Sequence, residues 1–271
     1  MTADTHRAPL DATALRTKIT AATSGWRRLD VVETTGSTNA DLVARAAAGE
    51  DIGGAVLLAE HQTAGRGRGG RVWSGVPRGS IAMSVGVSTA GVDEQNWALL
   101  PLLTGVAVVE ALDEVGVAGS LKWPNDVLVD GAKIAGILAE VASPQRAVVV
   151  GIGLNVTVGA DEIDQPGATS VLAAGGTVDR DQLVLNVLRH LGTRIEEWRG
   201  GGGGVLTEYR RRSSTIGARV RALLPGDREI VGTATGVDDR GQLCIESADA
   251  TVTVAAGDIV HLRPAPGAAE Q

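Results

Sequence analysis

Beyond Gly217 the sequence changes its period. "ARVRALL", "EIVGTATGV", "QLCIES" and "TVTVAAGDIVHL" are short β-prone runs at close spacing, broken by Pro-Gly-Asp and Asp-Asp-Arg-Gly turns. Upstream, apolar strand-like runs alternate with longer helical stretches. One repeating architecture cannot carry both patterns, so the chain divides. The expectation is a tail and short helix over 1–25, a mixed α and β domain over 26–216, a small β-barrel over 217–264 and a tail over 265–271.

Within the larger domain a leading helix is expected over 11–24. "GSTNADLVARAAAGE" reads as a helix start in which Thr38, with Asp41 three residues on, forms a near-variant of the capping box, and Gly49 ends the pattern. "GAVLLAE" and "SIAMSVGVS" read as buried strands. The most apolar run, Trp97 to Leu112, is shorter than the roughly 20 residues that span a bilayer and contains Pro101 and Gly105, which predicts a buried amphipathic helix. "DVLVD" and "KIAGILAEV" are strands joined across Asp130-Gly131, a strong hairpin signal. "RAVVVGIGLNVTV" continues the sheet. A helix over 181–198 is followed by the glycine run Gly200 to Gly204 and a second helix through "VLTEYRRRSS".

Between the first two buried strands lies "AGRGRGGRVWSG", with Arg66, Arg68 and Arg71 among glycines, then Trp73. An Arg-Gly tract for RNA is one reading. The formal net charge of -7 and an aromatic content of 2% disfavour it, because phosphate attraction and base stacking are what such binding needs. Gly65, Gly67 and Gly70 match G-x-G-x-x-G, yet "RVWSGVPRGS" follows where a dinucleotide site requires a helix. No Gly-Lys-Ser/Thr and no G-x-S-x-G occurs, which removes a Walker loop and a serine elbow. What remains is a solvated surface loop, or a mobile strand-to-strand loop whose guanidinium groups close over a phosphorylated ligand.

Of 25 basic residues only Lys18, Lys122 and Lys133 are lysine, and two of these fall in "LKWPNDVLVDGAKIAGILAE". A compact ammonium can serve there where a planar guanidinium would not, although a surface hairpin accounts for the same residues. The single Cys244 excludes an internal disulfide, and His6, His61, His190 and His261 are too scattered for a zinc site. The expected compartment is the reducing cytoplasm, with no export signal and no membrane association.

"GSTN", "AEHQTAGRGRGGRVW", "LKWPNDVLVDGAKIAGILAE" and "GIGLNV", in this order and before a terminal barrel, resemble the biotin-protein ligase family. The likeness runs from Gly36 to Arg263. It departs at the N-terminus, where bifunctional members carry a DNA-binding domain, so the monofunctional type without DNA binding is implied. The fold implied is α+β, a catalytic domain like those of class II aminoacyl-tRNA synthetases with a mixed sheet, followed by an SH3-like β-barrel. The activity implied is formation of biotinyl-5'-AMP from biotin and ATP with Mg²⁺ on the phosphates, then transfer of biotin to a lysine of a biotin carboxyl carrier domain of acyl-CoA or pyruvate carboxylases. The monomer or a weak homodimer is expected.

Residue by residue, the resemblance implies that Ser37, Thr38, Asn39, Gln62, Gly65 and Gly136 bind biotin, together with Arg66, Arg68 and Lys133. Arg66, Arg68, Arg71, Trp73, Asn125, Lys133 and Asn155 would hold ATP and the adenylate, Asn155 reading the adenine. Lys133, Arg66, Arg68 and Asp126 would be catalytic, with Asp126 near the acceptor amine and a possible contact of the metal. Plain readings stand beside these: Ser37 to Asn39 as a helix cap, Lys133 as an exposed hairpin lysine, "KWPND" as a strand and turn, Asn155 as an end-of-strand residue. The rival enzyme is a lipoate or octanoyl ligase, and the rival of another class is a nonenzymatic RNA-binding protein.

Overall fold

The computed structural model describes residues 7–261 apart from 22–24, 145, 160, 164–165, 202, 225–227, 249 and 256. The expected tail over 265–271 and the first six residues lie outside that set.

Seven strands form the principal sheet: β1 (Arg28–Thr35), β2 (Ala55–Gln62), β3 (Ser80–Ser88), β4 (Ser120–Lys122), β5 (Asp126–Val129), β6 (Ala132–Ala142) and β7 (Ala147–Asn155). Their order is β1-β2-β3-β7-β6-β5-β4. Only β1 and β2 run parallel, so the sheet is mixed, as expected. The hairpin between β5 and β6 turns on Asp130 and Gly131 at φ 49° and 78°, the left-handed pair that an Asp-Gly turn supplies.

Both faces of the central strands are covered. Along β2, Val56 and Leu58 point into the main core, while Ala55 and Leu57 join Leu42 and Ala46 of α2 (Thr38–Ala47) on the opposite face. α2 begins one residue earlier than its sequence suggests. Ser37 is the N-cap, accepting from the Ala40 amide, and Asp41 accepts the Thr35 hydroxyl at 2.5 Å instead of completing a capping box.

The main core lies against α3 (Leu100–Asp113), α4 (Arg180–Arg199) and α5 (Gly203–Arg212). Glu94–Asp113 is long and apolar enough to cross a membrane by composition, but 67% of its most apolar 18-residue window is buried inside the protein. The expectation of an amphipathic helix is corrected here. Leu102 to Val109 is buried without a break, through two turns, because the sheet and both later helices leave α3 no solvent face.

α1 (Ala12–Ala21) sends Leu15 and Ile19 into the same core. The residues before it are anchored too. Arg180 and Glu60 form a buried ion pair at 2.6 Å; Glu60 also accepts the Leu10 amide at 2.5 Å, and Arg180 donates to the Ala8 carbonyl at 3.3 Å. The N-terminal arm is thereby fixed across the domain.

The C-terminal strands β8 (Arg219–Leu224), β9 (Arg228–Val237), β10 (Leu243–Glu246), β11 (Thr251–Val254) and β12 (Asp258–His261) make an antiparallel sheet in the order β11-β10-β9-β8-β12. This five-stranded antiparallel domain stands where the small barrel was expected; β11 and β12 are its first and last strands in that order, and β9 carries a bulge against β10. This sheet shares a core with the larger domain. Trp123 donates its indole N–H to the Gly241 carbonyl at 2.9 Å, and a Cβ at Gly241 would press on Leu99 and Leu102.

Candidate active site

Three strands of the principal sheet present small residues on the α2 face. Gly136 of β6 stands opposite Gly153 of β7, which stands opposite Ala82 of β3; in the next row Leu138 faces Gly151, and Gly151 faces Ser84. Alternate residues of a strand share a face, so "GIGLN" leaves two adjoining gaps in the sheet surface. Side chains from elsewhere occupy them. Asn39 of α2 packs on Gly151, where a Cβ would come within 2.9 Å of the amide carbon, and the Trp73 indole lies across Gly153 and Gly136. A cleft opens over this floor.

All the residues singled out from the sequence line that cleft except Gly65 and Asn155. Gly65 sits just behind it. Its carbonyl accepts the Trp73 amide at 2.9 Å, and a Cβ would strike the Trp73 carbonyl, so the position requires glycine.

One end of the cleft is neutral and polar. Ser37, Thr38 and Asn39 are buried at the start of α2, where capping has already turned their side chains away from solvent. Gln62, at the end of β2, accepts the Thr38 amide at 2.8 Å and its hydroxyl at 3.1 Å. Ser84 lies 2.7 Å from the Thr38 hydroxyl and 2.6 Å from the Asn39 carbonyl oxygen. Asn39 donates to Glu140 at 2.8 Å and to the Leu138 carbonyl at 3.2 Å, so much of its hydrogen bonding is spent tying α2 to β6.

The other end is charged. Lys133 is clamped by its backbone: its amide donates to the Gly167 carbonyl at 2.7 Å and its carbonyl accepts the Thr169 amide at 2.8 Å. Its ammonium pairs with Asp126 at 2.5 Å and lies 5.8 Å from the centre of the Trp73 ring. Asn125 donates to the Ile137 carbonyl at 2.8 Å and closes the start of the β5–β6 hairpin. Behind Asp126 the Tyr209 hydroxyl is buried without a hydrogen-bond partner among the described residues, and burial, reinforced by the Asp126 charge, raises its pKa far above the usual phenol value.

The arginine-glycine loop carries hydrogen bonds of its own. Arg66 and Val72 form a β-bridge, the Gly67 amide donates to the Arg71 carbonyl at 2.7 Å, and Gly69 and Gly70 take φ of 67° and 77° to make the reversal. The three guanidinium groups have protein anions as partners. Arg66 pairs with Glu140; Arg68 donates to the Gly257 carbonyl at 2.7 Å and reaches Asp258 at 3.3 Å; Arg71 pairs with Asp258. The loop therefore bridges both sheets. Each guanidinium carries five N–H donors, so these pairings leave donors free for a further anion.

Asn155 is placed elsewhere. It lines a second cavity on the far side of Trp73, and its amide bridges Ser80, which donates to it at 3.3 Å, and the Thr169 carbonyl, which it donates to at 3.0 Å. Among the described residues no group of three His, Cys, Asp or Glu side chains could hold a metal ion. Sequence reasoning missed Gly151 and Gly153 as floor and Glu140 and Asp258 as counter-ions. The alternation of glycine in "GIGLN" was a signal for the first pair.

The chain that carries this cleft, polar at one end and cationic at the other, is similar to known proteins. A model described as the Biotin/lipoate A/B protein ligase family matches residues 33–156, and one described as the Biotin protein ligase C terminal domain matches residues 215–262. The chain belongs to the biotin protein ligase family. It is 51% identical over 265 residues to the biotin--[acetyl-CoA-carboxylase] ligase of Mycobacterium tuberculosis (strain ATCC 25618 / H37Rv), a match that covers 96% of this chain and 98% of that protein. The structure of the Aquifex aeolicus biotin protein ligase in complex with biotin and ATP superposes with a TM-score of 0.75 at 27% identity, covering 88% of this chain and 100% of that one. The Leishmania major biotin protein ligase in complex with biotinyl-5-AMP does so with a TM-score of 0.58 at 28% identity, covering 88% and 99%.

Proposed function

We propose that this chain is an ATP-dependent biotin ligase, which forms biotinyl-5'-AMP and passes biotin to a lysine of a biotin carboxyl carrier domain. The observation that carries this reading is the union, in one cleft, of the buried Ser37 and Thr38 and the half-buried Gln62 with Lys133, Asp126 and the three loop arginines. The polar end offers donors and acceptors at fixed spacing, which suits a cyclic urea. The cationic end suits a carboxylate and the phosphates it must meet.

In the first half-reaction a biotin carboxylate oxygen bonds to the α-phosphorus as the bond to pyrophosphate breaks. Two anions approach, and the barrier is mostly electrostatic. Lys133, fixed by its clamped backbone, is the cation for the carboxylate and the non-bridging oxygens, and Arg66, Arg68 and Arg71 supply further N–H donors from the loop. Pyrophosphate carries the displaced charge away. Magnesium would enter with the triphosphate, with Asp126, the carboxylate among the described residues lining the cleft, as its one protein contact; the metal would neutralise phosphate charge.

In the second half-reaction the amine of the acceptor lysine attacks the acyl carbon and AMP leaves. Asp126, paired with Lys133, is the carboxylate that would receive the amine proton. The cytoplasm supplies ATP and carrier domains, and the reaction is complete within one chain, whether monomer or weak homodimer.

The test is pyrophosphate release from ATP with biotin, with lipoate, and with neither. Release with biotin alone is expected. Preference for lipoate would move the chain to the rival branch of its family, and release with neither would remove the ligase reading.

A further inference from the structure

The cavity beyond Trp73 is lined by Pro77, Asn155, Val158, Ala168 and, as its only charged side chain among the described residues, Glu162. Trp73 forms the wall it shares with the main cleft, so a nucleotide whose phosphates meet Lys133 and the loop has this cavity for its base. The side chain expected to read the base, Asn155, accepts from Ser80 and donates to the Thr169 carbonyl, which leaves it one N–H and one carbonyl lone pair. Glu162 is held differently. One carboxylate oxygen, Oε2, accepts both the Gly159 amide at 2.8 Å and the Arg7 guanidinium at 2.5 Å. The same Arg7 nitrogen donates to the Thr157 carbonyl at 2.9 Å.

Arg7 is largely buried, with 14% of its side chain exposed, and belongs to the arm anchored by Glu60 and Arg180. The arm thus reaches over the sheet to orient a single carboxylate at the mouth of a base-sized cavity. Arg7 and the Gly159 amide also hold that carboxyl below the usual glutamate range, so at neutral pH it is an acceptor only.

We propose that Glu162, oriented by Arg7, selects the base: its carboxylate accepts a hydrogen bond from the exocyclic amine of a 6-aminopurine and repels the oxygen of a 6-oxopurine. The proposal rests on the ligase reading and names what that reading leaves open, the residue that distinguishes ATP from other purine triphosphates. Arg7 is a positioning residue in this scheme. A carboxylate meeting a carbonyl oxygen leaves both without a donor, which makes discrimination against the 6-oxo base larger than the loss of one bond alone.

The experiment is biotin-dependent pyrophosphate release with ATP and with ITP, for the wild type, Glu162→Ala and Arg7→Met, beside biotin affinity measured without nucleotide. The wild type should favour ATP by at least about tenfold in kcat/KM, the scale of one charge-assisted hydrogen bond. In Glu162→Ala, KM for ATP should rise about tenfold with kcat kept, because a base contact is made equally in ground and transition states, and the ATP to ITP ratio should fall towards unity. Arg7→Met should move the ratio the same way by a smaller factor, and biotin affinity should stay unchanged in both. A wild-type ratio in Glu162→Ala, or loss of biotin binding along with ATP use at a constant ratio, would overturn the proposal. A wild type that uses ITP as well as ATP would overturn it while leaving the ligase reading intact. Release with neither nucleotide would overturn both.

Discussion

Gly153→Ala is a one-carbon change at the floor of the cleft, and the structure sets its size. A Cβ at this position falls 2.6 Å from Cζ2 and 2.7 Å from Nε1 of the Trp73 indole, about 1 Å inside the 3.5–4.0 Å optimum for carbon contacts. β7 is hydrogen-bonded on both sides and cannot give way, whereas Trp73 is only partly buried and its indole N–H has no partner to lose. The ring must retreat. It then leaves Gly136 and its position under the Lys133 ammonium, forfeiting about 0.5–1 kcal/mol of cation–π attraction and some apolar contact. Overpacking of a rigid site costs about 1–3 kcal/mol, and a movable ring puts this one at the low end, so Tm should fall by about 2–4 °C. Adenylation should suffer more, by about tenfold or greater, because the wall between the two cavities has moved. The assay is a double-mutant cycle with Trp73→Ala, followed by urea unfolding and by pyrophosphate release. With the ring already gone, Gly153→Ala should add almost no destabilisation. Equal costs of Gly153→Ala in the two backgrounds would refute the claim that the indole is what occupies the gap.

Three other perturbations follow from the site and its surroundings. Lys133→Arg keeps the charge but replaces a compact ammonium, clamped beside Asp126, with a planar fork; biotin-dependent pyrophosphate release should drop at least about tenfold, and near-normal release would count against a catalytic lysine. Arg68→Gly removes a donor of the lid and its tie to Gly257 and Asp258; the variant should still release pyrophosphate but let the adenylate escape about tenfold faster, seen as biotin on bystander proteins in an avidin blot, and labelling no greater than wild type would refute the lid. His261 bonds Thr215 at 3.1 Å, and burial, then Lys122, lowers its pKa from the model-peptide value of 6.5. Its folded state favours the neutral ring, so stability is full above pH 6.5 and is lost as pH falls below it, while the unfolded chain takes up the proton first. His261→Gln should flatten Tm against pH in that window, and an unchanged slope would assign it to other groups.

The sequence carried the cleft better than the lid. Period and turn chemistry placed the β5–β6 hairpin, and four short motifs brought Ser37, Lys133, Asp126 and the arginines into one cleft, because each motif sits at the end of a strand or helix of the same sheet. The partners of the arginines were not legible. Asp258 lies 187 residues beyond Arg71, and a lone acidic residue at the start of a β-strand gives no sign of which cation it will meet. The surroundings of Asn155 were not legible for a related reason: its motif fixed its strand, but only the register between β3 and β7 shows that Ser80 stands opposite it, and only the fold shows Trp73 between it and the main cleft. The amphipathic reading of α3 failed because a sequence shows one helix at a time, and the cover on its far side comes from α4 and α5, far along the chain.

The core shared by the two sheets couples their stability. Leu102 and Trp123 pack on Gly241, so the C-terminal strands cannot melt without exposing the flank of α3, and α3 supports the strands that carry Lys133 and Gly153. The population of molecules with a competent cleft is therefore set by the stability of the whole. A substitution in β8 or β10 that touches no ligand can lower the yield of active enzyme through the folding equilibrium, with the rate per folded molecule unchanged.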